Sequence, residues 1–328
     1  MAKTMSNSRN IRKRPVRAKG KTAPGTHRPV LYREVIEQLA PEQGAIIADC
    51  TLGYGGHARR FMEKIGPSGR LVGFDVDAGE QAKTIHRLSK FGERLIAVNR
   101  NFRELAAVQN ELGIEGFDII FADLGISSMQ VDDASRGISY KADGPLDMRM
   151  DKSLPKTGAD ILAEYNEEEL ARIFDEYSDE PDSELIAKWI AGQRQAKPIE
   201  TVNELLRLVL NAKGFTERTW KKEQKQQRFG ATHPAARVFQ AVRIEVNDEL
   251  GALRRLLEDA PVCLKSGGRL GIISFHSGEE NIVRRSFSNL LEEGVYSSIS
   301  ENSIRPTSGE VARNPRSSSA RFRIAIKK

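Results

Sequence analysis

The sequence runs to 328 residues, room for two domains at roughly 150 residues each or for one domain carrying a large insertion. Hydrophobic residues make up 39% and charged residues 29%, which excludes wholesale disorder, a collagen-like repeat and a membrane bundle. The formal net charge of +6 is concentrated at one end: residues 1–28 hold nine Lys/Arg and no Asp/Glu, leaving 42 basic against 45 acidic residues elsewhere, a balance of −3.

Residues 1–26 therefore read as a basic tail, expected to be disordered, and suited either to neutralising phosphates on a nucleic acid or to serving as a solubilising arm. No apolar segment and cleavage site follow it, and no stretch is apolar enough to span a bilayer, so the expected location is the cytoplasm, with no membrane partner. Cys50 and Cys263 lie far apart, which makes reduced structural thiols the expectation and leaves no cysteine-based metal site.

Helical spacing over 30–39 ends at Pro41. Short apolar strands at 45–49, 71–74, 95–98 and 117–122 then alternate with helices at 56–65, 78–91 and 102–112. Strands this short and this apolar predict a parallel sheet covered on both faces, an α/β fold of Rossmann-like type. From 143 to 230 the rhythm changes to helices at 160–162, 167–177, 184–195 and 202–212, an inserted helical domain. One long amphipathic helix over 233–258, a strand at 268–275, a helix at 281–291 and an alternating strand at 321–326 complete the chain. The expected organisation is thus a tail (1–26), a catalytic α/β domain (27–142 and 231–328) and a helical insertion (143–230).

The strongest local signal is the strand-to-helix turn Asp49-Cys50-Thr51-Leu52-Gly53-Tyr54-Gly55-Gly56-His57-Ala58. Glycines there let backbone approach a ligand, and the following helix start offers free N–H groups. Gly53, Gly55 and Ala58 match the dinucleotide pattern G-x-G-x-x-G/A, and Asp75 ends the next strand 22 residues after Gly53, where a ribose carboxylate would sit. A NAD-dependent oxidoreductase is one reading. Asp49 and Asp123, at the ends of neighbouring strands, favour another: carboxylates repel a pyrophosphate and accommodate a sulfonium, which points to S-adenosylmethionine.

Further segments carry a family resemblance. Gly55-Gly56-His57, Asp123-Leu124-Gly125-Ile126-Ser127-Ser128, Gly144-Pro145-Leu146-Asp147-Met148-Arg149-Met150-Asp151, His233-Pro234-Ala235, Phe239-Gln240-Ala241-Val242-Arg243-Ile244 and Ile273-Ser274-Phe275-His276-Ser277 closely resemble the RsmH/MraW family, in order and with similar spacing over about residues 27–328. The resemblance implies a class I S-adenosylmethionine-dependent methyltransferase fold and methylation of the exocyclic 4-amino group of a cytidine in bacterial small-subunit (16S) ribosomal RNA. It implies that Gly55, Gly56 and His57 contact the methionine and sulfonium region of the donor, Asp75 the ribose, Phe102 and Asp123 the adenine side, and that Gln130 closes the pocket. The sequence departs from the family where Gly278-Glu279-Glu280-Asn281 follows the Ser-Phe-His-Ser motif, at Arg316-Ser317-Ser318, and at Ser178-Asp179-Glu180-Pro181.

Ser127, Asp147 and His276 are the candidate polar groups at the reacting amine. Asp147 could instead pair with Arg149, His276 could be a packed histidine, His57 could cap its turn, and Phe102 could belong to the core. The expected partner is small-subunit ribosomal RNA, as the assembled particle. The RNA-facing candidates are Arg218, Lys221, Lys222, Lys225 and Arg228 with Trp220 and Phe229 interleaved, and the strip Arg305, Arg313, Arg316, Arg321 and Arg323. A non-catalytic RNA-binding assembly factor is the remaining alternative.

Overall fold

A computed structural model describes residues 29–226 and 233–328. The basic tail lies outside the described residues, as do Arg228 and Phe229 of the second basic stretch.

Among the described residues seven strands form one sheet in the order β3-β2-β1-β4-β5-β7-β6. They are β1 (Ile46–Asp49), β2 (Arg70–Phe74), β3 (Leu95–Val98), β4 (Phe117–Asp123), β5 (Leu264–Ser274), β6 (Tyr296–Ile299) and β7 (Arg321–Lys327). The first five pair in parallel, while β7 runs antiparallel between β5 and β6. The Rossmann-like α/β expectation is met. Helices α1 (Tyr32–Leu39), α2 (Gly56–Ile65), α3 (Ala78–Arg87) and α4 (Leu105–Glu111) connect or cover the strands. Ile47, Val72, Ile120 and Phe121 are fully buried between the covering layers, which is why these strands show no polar alternation. The helix expected over 78–91 ends at Arg87 and continues as a 3-10 turn, and the strand β6 carries too weak an apolar pattern to have been anticipated.

After a short helix α5 (Ser128–Asp132), five helices follow: α6 (Gly158–Glu164), α7 (Glu167–Ser178), α8 (Ser183–Ala196), α9 (Val202–Ala212) and α10 (Glu217–Gln226). Side chains at Asn166, Thr157 and Thr201 cap three of them in reciprocal capping boxes. Their apolar faces share a core of their own, in which Ile173, Phe174, Ile190 and Val209 are fully buried.

The single helix expected over 233–258 is two: α11 (Ala236–Asn247) and α12 (Glu249–Cys263), broken at Asp248, whose φ is +46°. Aspartate is among the few residues that tolerate this left-handed conformation. Periodicity persists across the break, but its destination changes. Val238, Phe239 and Val242 of α11 enter the helical core, while Leu253, Leu256 and Leu257 of α12 pack on the sheet. Helices α13 (Ser277–Glu292) and α14 (Ser308–Arg313) complete the structure.

Candidate active site

Strand order reverses beside β1, and ligands of open parallel sheets bind in the crevice such a reversal opens at the carboxyl ends of the strands. A cavity of about 450 Å³ occupies that position. Its floor is the turn from β1 to α2. Thr51 N–H donates to Asp49 Oδ1 (3.1 Å), Leu52 N–H to the Phe74 carbonyl (2.9 Å) and Gly55 N–H to the Leu52 carbonyl (2.7 Å). Gly55 has φ +79°, and a Cβ there would press on Thr84 and Leu88 at 2.8 Å. Because this N-cap has no side chain, no side-chain acceptor covers the first amides of α2.

Three carboxylates stand at the strand ends: Asp75 and Asp123 line the cavity, and Asp49 is buried beneath it, outside the lining. Burial pushes Asp49 up to about 6, with the charges of Asp123 and Asp75 adding and those of His57 and the Thr51 amide opposing. Burial likewise pushes Asp75 up to about 6, although the N–H groups of Asp77 and Gly53 favour its charged form. Asp123 receives no amide from its own sheet end; its backbone N–H donates to Thr51 Oγ1 (2.7 Å), and its Oδ2 lies 3.5 Å from His57 Nε2. Asp123 Oδ1, Asp49 Oδ2, Glu80 Oε2 and both His57 nitrogens are buried without a hydrogen-bond partner. Buried polar atoms are almost always satisfied, so this concentration of orphaned acceptors describes a site built for a ligand bringing donors and positive charge. Among the described residues no group of His, Cys, Asp and Glu is arranged to hold a metal ion.

Gly56, His57, Asp75, Phe102, Asp123, Ser127 and Gln130 all line this one cavity. Gly55 does not; it supplies the backbone conformation beneath them. His57 and Asp123, which the family resemblance assigns to different ends of the donor, lie against each other, Nε2 3.5 Å from Oδ2. Ser127 caps α5: its Oγ accepts from Gln130 N–H (3.2 Å), and Gln130 Oε1 accepts from Ser127 N–H (2.9 Å), which fixes both at the rim. Cys50 also lines the wall, its thiol pushed up by burial and then by the Asp49 charge.

Two of the candidate polar groups are absent from the cavity lining. Asp147 accepts from Arg149 Nε (2.7 Å) and Nη2 (3.0 Å) in a two-point pair, the competing possibility the sequence had offered. His276 caps α13, with Nδ1 accepting from Glu279 N–H (3.4 Å) and Nε2 3.3 Å from Glu279 Oε1. Burial would raise Glu279, but hydrogen bonding and charge from His276, the Phe275 amide and Arg243 outweigh it and hold the carboxyl below its ordinary range. Trp220, expected as a stacking surface, is buried edge-on against Phe215 and His233. Arg323, on β7, is also withdrawn from the expected basic strip, bound to Glu280 of α13 at 2.8 Å.

Several lining residues went unnoticed in the sequence. Asn101 and Phe275 follow the ends of β3 and β5, so the strand-end rule that found Asp75 could have found Asn101 and given Phe275, which stands in a family segment, a place in the site. Asn247, Asp248 and Glu249 reach the cavity only because the helix breaks there, and Leu154 and Asn314 carry no local signal; Met150 stands in a family segment without an assigned role, and Arg316, expected on the RNA-facing strip, lines the cavity as well.

Known proteins share this chain almost end to end. It is 40% identical over 316 residues to "Ribosomal RNA small subunit methyltransferase H" of Symbiobacterium thermophilum, covering 92% of this chain and 96% of that protein. The protein of the same name from Geobacter sulfurreducens is 42% identical over 317 residues, 92% of this chain and 99% of its own length. Among solved structures, an rRNA methylase from Streptococcus thermophilus aligns over 90% of this chain and 93% of its own, at a TM-score of 0.39 and 12% identity. Residues 25–328 match the family described as "MraW methylase family", and with two relatives at this identity over nearly full length, the chain belongs to that family.

Proposed function

We infer that this protein is an S-adenosylmethionine-dependent methyltransferase of ribosomal RNA, and that its target is the exocyclic 4-amino group of a cytidine in bacterial 16S ribosomal RNA. The observation that carries the reading is the pair of strand-end carboxylates that line the cavity, Asp75 and Asp123, with an orphaned oxygen on Asp123, beside the uncapped start of α2. A donor with one anionic end, one sulfonium and two ribose hydroxyls fits that set of groups. A dinucleotide would bring a pyrophosphate against Asp123, which Coulomb repulsion disfavours.

In this reading the amides of Gly56 and His57 receive the methionine carboxylate, Asp75 accepts from the ribose hydroxyls, and Phe102 with Asn101 borders the adenine. Asp123 and His57 flank the sulfonium. When bound, S-adenosylmethionine supplies an electrophilic methyl carbon. The chain's own residues must then overcome the weakness of the nucleophile, because the lone pair of a cytosine amine is delocalised into the ring. Ser127 is the candidate group retained for this task, since its hydroxyl stands at the rim next to the Asp123 loop and can still give its own proton to, or take one from, the base. Asp147 and His276 are assigned to holding the loops around the site. The target base reaches the cavity by leaving its stack.

The helical insertion, 143–230, is proposed as the RNA-facing unit, with exposed Arg218 and Lys222 on α10 and Arg305 and Arg313 near α14 contacting phosphates. No helix among the described residues is long and apolar enough to cross a membrane, and we place the enzyme in the cytoplasm with the assembled small subunit as its substrate.

The test incubates the protein with labelled S-adenosylmethionine and either small subunits lacking the modification or naked 16S RNA, then maps the label by mass spectrometry. Label on a cytidine 4-amino group, greater on subunits, is expected. Tight donor binding with no label on either substrate would mean an assembly factor rather than an enzyme.

A further inference from the structure

One buried cation lies outside the groups used so far. Arg136 and Asp77 form an ion pair in which both side chains are almost wholly withdrawn from solvent, 11% and 7% exposed. Asp77 is already committed on two other sides. Its Oδ1 accepts from Glu80 N–H (3.1 Å) at the start of α3, and its backbone N–H donates to Asp75 Oδ1 (2.8 Å). The carboxylate expected to hold the ribose is therefore clamped to Asp77, and Asp77 to Arg136.

Of the rest of the guanidinium, Nε lies 3.7 Å from Asp133 Oδ2 and Nη1 points to the opposite wall. Arg136 Nη1 donates to the carbonyls of Met150 (3.2 Å) and Arg149 (3.4 Å), and the Arg136 carbonyl accepts from Met148 N–H (2.7 Å). Met148 is fully buried with φ +62°, a conformation that a branched chain of contacts must hold in place. Asn247 supplies the other side of that hold: its Nδ2 donates to the Met148 carbonyl (2.9 Å) and its Oδ1 accepts from Met150 N–H (2.7 Å). Met150 and Leu154 line the cavity, at the point where the chain enters the helical unit.

We propose that Arg136 is a positioning residue that ties the ribose-holding turn Asp75–Asp77 to the wall at 148–154, so that donor binding sets the surface against which the target base is received. The inference rests on the donor reading above. A planar fork with five N–H groups can serve a carboxylate and two carbonyls together, whereas a lysine can keep the carboxylate but cannot span all three. Arg136→Lys thus separates the two halves of the tie.

Hydrogen exchange of the full chain, read by mass spectrometry with and without S-adenosylmethionine, is the test, because it needs no turnover. In the unaltered protein the donor should slow exchange across 148–154 by about tenfold or more. In Arg136→Lys the donor should bind within about threefold of its normal affinity, yet the slowing at 148–154 should vanish, and kcat on small subunits should fall by about tenfold with the KM for donor little changed. Asp77→Asn, which cuts the tie from the cofactor side, should lose donor affinity and the protection together. Absence of donor-dependent slowing in the unaltered protein would overturn the proposal whatever the variants do, as would an Arg136→Lys protein that keeps it. Failure of the unaltered protein to bind donor at all would instead remove the donor reading, and this inference with it.

Discussion

Replacing Asp123 by asparagine keeps the shape of the crevice and removes one negative charge from it. Its carboxylate has one oxygen 3.5 Å from His57 Nε2 and the other buried without a partner, so no neighbouring cation already neutralises it by a close hydrogen-bonded contact. At a separation of about 5 Å and an effective dielectric near 20, a carboxylate and a sulfonium attract by about 3 kcal/mol. The Asp123 side chain is 24% exposed, and solvent at that exposure screens the attraction to about 1–2 kcal/mol, or roughly 5- to 30-fold in affinity. Comparing S-adenosylmethionine with S-adenosylhomocysteine isolates the charge, since the two differ by the methyl group and the sulfonium. Titration calorimetry near pH 7.5 should show Asp123→Asn losing that factor for the methylated donor and less than about threefold for the demethylated product. Equal losses for both ligands would refute the sulfonium assignment and leave Asp123 as a hydrogen-bonding residue only.

The raised carboxylates predict a pH signature. Asp49 and Asp75 sit at about 6 in the folded protein against an ordinary 3.8, so the ligand-free fold holds protons that an unfolded chain has released, and these groups subtract stability as pH rises through about 6. Hydroxyl donors and positive charge in the cavity that Asp75 lines favour its charged form, so the rise in melting temperature caused by S-adenosylmethionine should grow between pH 5 and pH 7; a shift independent of pH counts against Asp75 as its receptor. Gly55→Ala forces a side chain into a left-handed position and against Thr84 and Leu88. It should cost about 1–3 kcal/mol of stability and weaken donor binding by about tenfold, measured by thermal melts with and without donor; a variant that melts and binds normally would show that the turn does not depend on its glycine.

Much of the sheet and the strand-end side of the crevice are legible in the sequence, for a common reason. A strand buried on both faces must be apolar along its whole length, so β1, β2 and β4 stand out, and the residues at or just past their ends, Asp75 and Asp123 among them, fall at the ligand crevice by topology alone. The turn at Gly53–Gly56 announces itself because left-handed backbone favours glycine. The break at Asp248 left no such mark. Apolar spacing continues from Val246 into Leu250 and Leu253, and only the existence of two separate cores makes the bend necessary. Asp147 and His276 show a different limit: a polar residue in a motif-rich loop looks alike whether it faces a substrate or a neighbouring arginine or glutamate, and here residues two and three positions along the chain, Arg149 and Glu279, claim them.

Cys50 poses a problem of chemical compatibility. A thiolate is a far better nucleophile than a cytosine amine, and this one would stand in the wall of a cavity that holds an alkylating agent. Its burial at 2% exposure, with Asp49 adjacent, keeps the sulfur protonated at neutral pH. The low-dielectric packing that stabilises the crevice thereby also suppresses self-alkylation, and the intact mass of protein stored with excess donor should remain that of the unmodified chain.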